Sequence, residues 1–146
     1  MKKSIIFSII IGVVTIALSA ILLFALVSYA QAKQRDVERL SDIASIRLSL
    51  ESYFFYRQSY PLAENTLTLG ESGARVLCSS NTGIQDVSEG CSNIFMDKIP
   101  QDPLSNENYY YLYQSDGKDY SLIFNLEKSD SGLSYGEHTA TASGIK

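Results

Sequence analysis

The chain has 146 residues, which is about one domain by length, and it carries a net charge of −4 with a pI near 4.9. This acidic balance provides no general attraction to nucleic acid or to anionic lipid surfaces. We therefore expect no nucleic-acid partner, and any membrane segment reduces the length available for a folded domain.

An uncharged apolar run fills the chain between Lys3 and Lys33. About 20 apolar helical residues cross the hydrocarbon core, so this run can span a bilayer with some tilt. A cleavable signal peptide is the alternative, but its apolar region is typically about 7 to 15 residues long. We predict a retained transmembrane helix over 1–32, with the lipid bilayer as its partner. Its anchor residues include Ile5, Ile9, Val13, Ile16, Leu22, Phe24 and Leu26.

Two cysteines, Cys78 and Cys91, lie in a stretch rich in Ser, Gly and Asn. Without His neighbours they make a poor zinc site, whereas a disulfide closing this loop would stabilise the fold by about 3 kcal/mol. Disulfides persist in oxidising compartments. We therefore predict a single-pass protein of the cytoplasmic (inner) membrane with an extracytoplasmic C-terminal domain; two buried free thiols are the alternative.

The apolar run continues into an amphipathic pattern over 33–60. Neither Gly nor Pro occurs from Val13 to Tyr60, so nothing obliges the helix to stop before Pro61. Apolar residues recur there at helical spacing, with serines and acids opposite. The predicted apolar arc is Val37, Leu40, Ile43, Ala44, Leu48, Leu50 and Phe54.

Residues 61–146 are predicted to form a head domain that begins with a loop-rich region up to Pro103. Near its end, "NYYYLYQ" and "DYSLIFNLE" flank Asp116-Gly117, a strong hairpin signal. We predict a hairpin over about 109–126 with Ser115 opposite Lys118. The tail beyond it suits either an edge strand or a disordered terminus.

Alternation along this hairpin puts large apolar side chains on one face, which would cover the apolar arc of the helix. The tyrosines are therefore interpreted mainly as core. A stacking platform is the alternative, with Tyr110 its best candidate because it points away. The predicted head core comprises Leu40, Ile43, Leu50, Phe54, Tyr111, Tyr113, Leu122 and Phe124.

The sequence lacks the residue combinations that are typical of catalytic sites. The chain has no Ser/His/Asp set, no cluster of metal ligands and no phosphate-binding glycine loop, and its one histidine, His138, sits in a polar tail where we expect it to be solvated. We predict a protein that is not an enzyme and has no cofactor.

Three segments together resemble the type IV pilin and type II secretion pseudopilin superfamily, across most of 33–128. The helix exit "SLESYFFYRQSYP" resembles the family's "ALELYYNDNGSYP" type of ending. The segment "CSNIFMDKIPQDPLSNENYYYLY" resembles its "YMxxVPxDP" segment and the tyrosine-rich strand after it, and "SDGKDYSLIFNLE" resembles its "SDGxxYxLxxxLE" hairpin. The resemblance implies a pilin-like α+β fold, with a long N-terminal helix packed on a small antiparallel sheet. Some major pseudopilins bind calcium in a loop near the last strands, and Asp116, Asp119 and Asp130 supply oxygen ligands in that region, but a turn and solvated acids explain these three residues more simply.

The start of the chain departs from the family pattern of a basic leader ending in Gly and followed by "FTLIE". The only glycine there is Gly12, and the fifth residue after it is Ala17 rather than Glu. We therefore expect an uncleaved, membrane-anchored structural or assembly protein of a type IV pilus or type II secretion-like system. Such a protein contacts other pilin-like subunits through its N-terminal helix. An anchored extracytoplasmic ligand-binding module for surface adhesion, using the loop between Pro61 and Pro103 or Tyr110, is the alternative.

Overall fold

The computed structural model describes residues 2–105 and 109–146, with only the helical backbone described for residues 2–6. It divides into two compact units, Met1–Gln34 and Arg35–Lys146. The first unit is helical throughout its described length, and the second contains the remaining secondary structure.

Helix α1 spans Lys2–Arg57 and ends three residues before the predicted limit of residue 60. Gln58 adopts a left-handed backbone with φ of 59°, and its backbone N–H donates to the carbonyl oxygen of Phe54 at 2.8 Å. This is the kind of hydrogen bond that closes a helix C-terminus. A local cap therefore ends the helix before Pro61 can do so.

Two antiparallel sheets complete the second unit, which gives the α+β class predicted from sequence. The smaller sheet has the order β3-β2-β4 and the larger has the order β1-β5-β6-β7-β8. The strands are β1 Ala63–Thr68, β2 Val76–Cys78, β3 Ile84–Gln85, β4 Ile94–Met96, β5 Leu112–Ser115, β6 Tyr120–Leu126, β7 Gly136–Thr141 and β8 Gly144–Ile145.

The hairpin of β5 and β6 has a different register from the predicted one. Ser115 pairs with Tyr120, not with Lys118, so the connecting loop has four residues rather than two. The Asp116 carboxylate causes this by accepting hydrogen bonds from the backbone N–H groups of Lys118 and Asp119 at 2.9 and 3.0 Å. Because the register shift is two residues and strand side chains alternate with period two, the predicted core face is retained.

The core lies between the second half of α1 and the sheets. Of the eight residues predicted for it, Leu40 and Phe54 are half-buried at its margin. The other six are fully buried, namely Ile43, Leu50, Tyr111, Tyr113, Leu122 and Phe124. Ile46 and Tyr53 complete the buried helix face, because they continue the spacing of Ile43 and Leu50.

Part of the predicted helical arc points away from this core. Val37, Ala44 and Leu48 are exposed, and their place on the buried face is taken by Asp36, Arg39 and Ile46. Hydrophobicity alone does not predict a buried charged pair. The three apolar side chains therefore lie on the outer surface of the helix, contrary to the prediction.

The tail contributes strands to the larger sheet. Strand β7 pairs with β6, with Phe124 opposite His138, and β8 forms the edge. The expectation of a solvated His138 is wrong. The residue is 7% exposed, its ring centroid lies 5.6 Å from that of Phe124, and its Nε2 lies 2.7 Å from the carbonyl oxygen of Ser134.

Candidate functional site

Helix α1 presents apolar side chains to its surroundings through the first unit. It is long and apolar enough to cross a membrane. The predicted anchor residue Ile5 lies in the helix, but its side chain is outside the described part. The other predicted anchor side chains are all exposed, namely Ile9, Val13, Ile16, Leu22, Phe24 and Leu26.

The hydroxyl groups of Thr15 and Ser19, within this apolar run, are satisfied by the helix itself. Thr15 Oγ1 donates to the Gly12 carbonyl at 2.9 Å, and Ser19 Oγ donates to the carbonyls of Thr15 and Ile16. In hydrocarbon an unsatisfied polar group costs several kcal/mol, on the order of a lost hydrogen bond. These contacts make the polar side chains compatible with a lipid environment.

A buried ion cluster is the most distinctive chemical feature of the second unit. Its centre is the fully buried guanidinium of Arg39, which donates from Nε and Nη2 to the two carboxylate oxygens of Asp102 at 2.8 and 2.9 Å. Nη1 donates to Asp36 at 2.8 Å and to Glu127 at 2.7 Å. The Tyr109 ring covers the guanidinium, with its centroid 4.6 Å from Cζ.

The cluster keeps its arginine charged. Burial disfavours the charged guanidinium, but hydrogen bonds to Asp102, Glu127 and Asp36 outweigh it and hold the pKa of Arg39 above its ordinary value. A buried charge of this kind is tolerated only when its hydrogen bonds are made. Arg39 therefore depends on all three carboxylates.

The carboxylates tie two other parts of the chain to the helix. Asp36 accepts hydrogen bonds from the backbone N–H groups of Glu127 and Lys128 at 2.9 and 2.7 Å, which fixes the end of β6. Asp102 accepts one from the backbone N–H of Leu104 at 2.8 Å, which orders the turn after Pro100. The cluster thus joins three segments that are distant in sequence.

Glu127 is shared by two arginines at the edge of the cluster. Arg35 donates to both of its carboxylate oxygens, and Arg39 donates to Oε1. The hydrogen bond from Arg35, followed by those of Arg39, lowers the pKa of Glu127 below its ordinary value, against the effect of burial. Two guanidinium groups therefore face three carboxylates, a set suited to cross-linking the fold.

Asp42 occupies a second charged position on the same helix. Its Oδ2 accepts a hydrogen bond from the Tyr111 hydroxyl at 2.9 Å. Burial raises the pKa of Asp42, the Tyr111 hydrogen bond lowers it, and the charges of Glu38 and Asp102 raise it further. Folding thus disfavours the charged form of the Asp42 carboxylate.

The tyrosine-rich segment lies mainly inside the head. Tyr111 and Tyr113 are fully buried, and the Tyr113 hydroxyl donates to the Pro61 carbonyl at 2.8 Å. Tyr109 and Tyr110 are half-buried, the former against Arg39. An exposed stacking platform would need several of these rings on the surface together, whereas the two central ones are covered.

The predicted disulfide between Cys78 and Cys91 is confirmed, with the two Cα atoms 5.7 Å apart. Cys78 belongs to the buried strand β2, and Cys91 follows an exposed loop. The bond anchors that loop to the smaller sheet. Its presence suits a domain that folds in an oxidising compartment.

An open cleft of about 790 Å³ lies beside the small sheet, in the region where ligand binding was considered as an alternative. Its walls carry charges of both signs, including Asp42 on α1, Asp86, and the basic residues Arg75 and Lys98. Arg75 Nε lies 3.5 Å from an Asp86 carboxylate oxygen, and both side chains are about half-exposed. The cleft is therefore polar and open to solvent.

The aspartates considered for calcium have separate roles. Asp116 caps the β5–β6 turn, and Asp130 pairs with Leu133 in an isolated bridge. Over residues 2–105 and 109–146, no group of three or more His, Cys, Asp or Glu side chains is placed to hold a metal ion.

Compared with known proteins, the chain has no match among family models, curated proteins or solved structures. The resemblance to pilin-like chains therefore stays a prediction from the residue pattern of the helix exit, the tyrosine-rich segment and the hairpin. The fold established above is one helix packed on antiparallel sheets.

Proposed function

We propose that this protein is a membrane-anchored, non-enzymatic structural subunit of pilin-like type, working in a type IV pilus or type II secretion-like system. Its head would lie outside the cytoplasmic membrane. The observation that carries the proposal is the composition of α1, whose exposed apolar side chains between Phe7 and Tyr29 give way to a stretch that contributes one face to a folded core.

The first part of α1 supports a role in assembly as well as anchoring. Its exposed apolar side chains need lipid or other apolar helices around them. A helix that serves only as a tether contacts lipid, whereas a subunit helix exchanges part of that lipid contact for neighbouring helices. Other pilin-like subunits are the partners that the residue pattern suggests.

The head supports a structural role through the way it uses its charged groups. Arg39, Asp36 and Asp102 are buried and hydrogen-bonded to one another or to backbone. Such groups hold a domain in one arrangement and are not available to a substrate. The disulfide between Cys78 and Cys91 adds a covalent restraint of the same kind.

The test is photo-crosslinking from the apolar run in living cells. A photoreactive amino acid at Phe24, 75% exposed, should give adducts with the helices of pilin-like subunits, and one at Glu38, exposed and beyond the run, serves as the control position. Protease added outside spheroplasts should digest the head. Adducts with lipid alone would contradict the assembly role, and a head protected from external protease would contradict the orientation.

The cleft beside the small sheet favours a second candidate, an anchored module that binds a surface ligand such as a glycan. The discriminating comparison uses the full chain in lipid nanodiscs, with Arg75→Ala in the cleft and Lys118→Ala at the hairpin turn as control. Loss of glycan binding in the first variant alone would favour the module. If the unaltered chain binds no glycan, the ligand-binding module is excluded as a function of this cleft.

A further inference from the structure

The loop of the β5–β6 hairpin contains the only pair in the chain in which Asp or Asn directly precedes Gly, namely Asp116-Gly117. An Asp-Gly pair is prone to isomerise, because glycine has no side chain to keep its backbone nitrogen away from the carboxyl carbon of the aspartate. Asp116 is exposed, so water has access to it. By composition and exposure the pair is a candidate for spontaneous modification.

The reaction needs only water. The Gly117 nitrogen attacks Cγ of Asp116, an N–Cγ bond forms, and the amide proton leaves with the carboxyl hydroxyl as water. A second water then opens the resulting succinimide ring. Attack at Cγ restores the aspartate, whereas attack at the Asp116 backbone carbonyl carbon leaves the chain connected through Cβ and Cγ as isoaspartate. The first step requires a protonated carboxyl group and a backbone nitrogen that is free to move.

The closed turn keeps the carboxyl group in its unreactive form. Oδ1 of Asp116 accepts hydrogen bonds from the backbone N–H groups of Asp119 at 3.0 Å and Lys118 at 2.9 Å. These two bonds, that of Asp119 first, lower the pKa of Asp116 below its ordinary value. Near neutral pH the group is therefore a carboxylate, which has no hydroxyl to lose as water and whose negative charge disfavours attack by the nitrogen.

The same turn restrains the nitrogen. The Gly117 N–H donates to Ser115 Oγ at 3.0 Å, and Ser115 Oγ in turn donates to the backbone carbonyl of Asp119 at 2.8 Å. Ser115 is 4% exposed, so its hydroxyl is held in place. The Gly117 carbonyl accepts a hydrogen bond from the backbone N–H of Tyr60 at 2.9 Å. Moving the Gly117 nitrogen towards Cγ would therefore break hydrogen bonds on both sides of this residue.

We propose that Asp116-Gly117 is an isoaspartate-forming modification site that the folded turn protects and that reacts once the hairpin opens. The reaction has a consequence outside the turn. Isoaspartate lengthens the backbone by one carbon atom, which displaces the Gly117 carbonyl from the Tyr60 N–H and so breaks the link between the segment after α1 and the hairpin. One opening that ends in isomerisation would thus prevent the head from closing in its original form. This inference does not rest on the proposed function.

The test compares the detergent-solubilised full chain when folded and when unfolded in guanidinium chloride. Both samples are kept at neutral pH, and isoaspartate at residue 116 is quantified by peptide mapping with electron-transfer fragmentation, which distinguishes the two isomers. Isoaspartate should form at least about tenfold faster in the unfolded chain, because roughly 1.4 kcal/mol of opening free energy already limits the open form to about a tenth.

Two matched serine variants show whether the turn provides the protection. Ser115→Ala removes the acceptor of the Gly117 N–H, whereas Ser121→Ala makes the same change on β6, outside the loop. In the folded state we expect isoaspartate to form about fivefold faster in Ser115→Ala than in the unaltered chain, since the loss of one hydrogen bond of roughly 1 kcal/mol corresponds to that factor. Ser121→Ala should match the unaltered chain. In guanidinium chloride all three chains should react at the same rate.

The other outcomes overturn different parts of the proposal. Equal rates in the folded and the unfolded unaltered chain would overturn protection by the fold, and this comparison decides the point even where Ser115→Ala does not fold. An unfolded chain that forms no isoaspartate would overturn the modification site itself. Equal rates in folded Ser115→Ala and folded Ser121→Ala would overturn the assignment of the protection to the turn.

Discussion

The apolar run of residues 7–29 and the head, Arg35–Lys146, depart from ordinary burial in opposite directions. The run exposes large apolar side chains such as Ile16 and Phe24, whereas the head fully buries Arg39 and Asp36. The first pattern needs apolar surroundings, and the second needs complete pairing of its charges. The contrast supports the proposal that the run contacts lipid or other helices, and it indicates that the ion cluster acts within the fold.

The largest expected effect comes from removing the centre of the ion cluster. Arg39→Met leaves Asp36, Asp102 and Glu127 without their shared donor, and breaking a buried pair in this way costs about 3 to 5 kcal/mol. We expect this loss in the free energy of unfolding, measured by urea denaturation of the detergent-solubilised chain.

The matched control for that change is Arg75→Met. Arg75 and Asp86 form a half-exposed pair, for which a loss below about 1 kcal/mol is expected. Equal losses in the two variants would show that the buried cluster is not what holds the head together.

The apolar run is tested by placing a charge inside it. Leu22→Arg should reduce membrane insertion by about 2.5 to 3.5 kcal/mol, the penalty for arginine near the centre of a spanning helix. Ser45→Arg, on an exposed part of the head, is the control and should leave insertion unchanged. Alkaline carbonate extraction measures the difference; identical extraction of the two variants would contradict a spanning role for the run.

Removing the disulfide should have a somewhat smaller effect, limited to the head. The double change Cys78→Ala and Cys91→Ala releases a loop with a sequence separation of 13, and we expect a loss of about 3 kcal/mol or less in the free energy of unfolding. Reduction of the unaltered chain should reproduce it. If the reduced chain is as stable as the oxidised one, the disulfide does not stabilise the head.

The smallest expected effect is a dependence on pH. Glu127 has a lowered pKa in the fold, so its contribution is present above its ordinary value of 4.5 and is lost as the pH falls through the folded pKa. Urea midpoints of the unaltered chain and of Glu127→Gln should therefore converge as the pH falls from above 4.5 through the folded pKa of Glu127. A constant gap between them would contradict the pairing with Arg35.

Asp42 should show the opposite sign. Its pKa is raised in the fold, so stability is lost as the pH rises from the ordinary value of 3.8 through the folded pKa. Asp42→Asn keeps an acceptor for the Tyr111 hydroxyl and should match or exceed the stability of the unaltered chain at neutral pH. A clear loss at neutral pH would show that the carboxylate charge itself is needed.

Local patterns were sufficient to predict the helix and the hairpin face. The absence of Gly and Pro predicted a continuous α1, and alternation identified Tyr111, Tyr113, Leu122 and Phe124 as neighbours in the core. The hairpin register was missed because the side-chain hydrogen bonds of Asp116 lengthen the loop. Alternation is insensitive to a shift of two residues, so the face was right and the pairing was wrong.

The ion cluster was missed because its members are far apart in sequence. A local signal did exist, since Asp36 and Arg39 precede Ile43, Ile46 and Leu50 at alternating spacings of three and four residues. Following that spacing, rather than hydrophobicity alone, places both charges on the buried face. No spacing rule indicates that Asp102 and Glu127 complete the cluster, because those contacts depend on how the head folds over the helix.

Membrane anchorage and an oxidised head are tested together by the intact mass of the chain from isolated membranes, measured after thiol alkylation with and without prior reduction. We expect a chain that keeps its apolar run, requires detergent for release, and takes up label at Cys78 and Cys91 only after reduction. A soluble chain that has lost residues 7–29, or thiols that label without reduction, would contradict a membrane-anchored protein with an oxidised extracytoplasmic head.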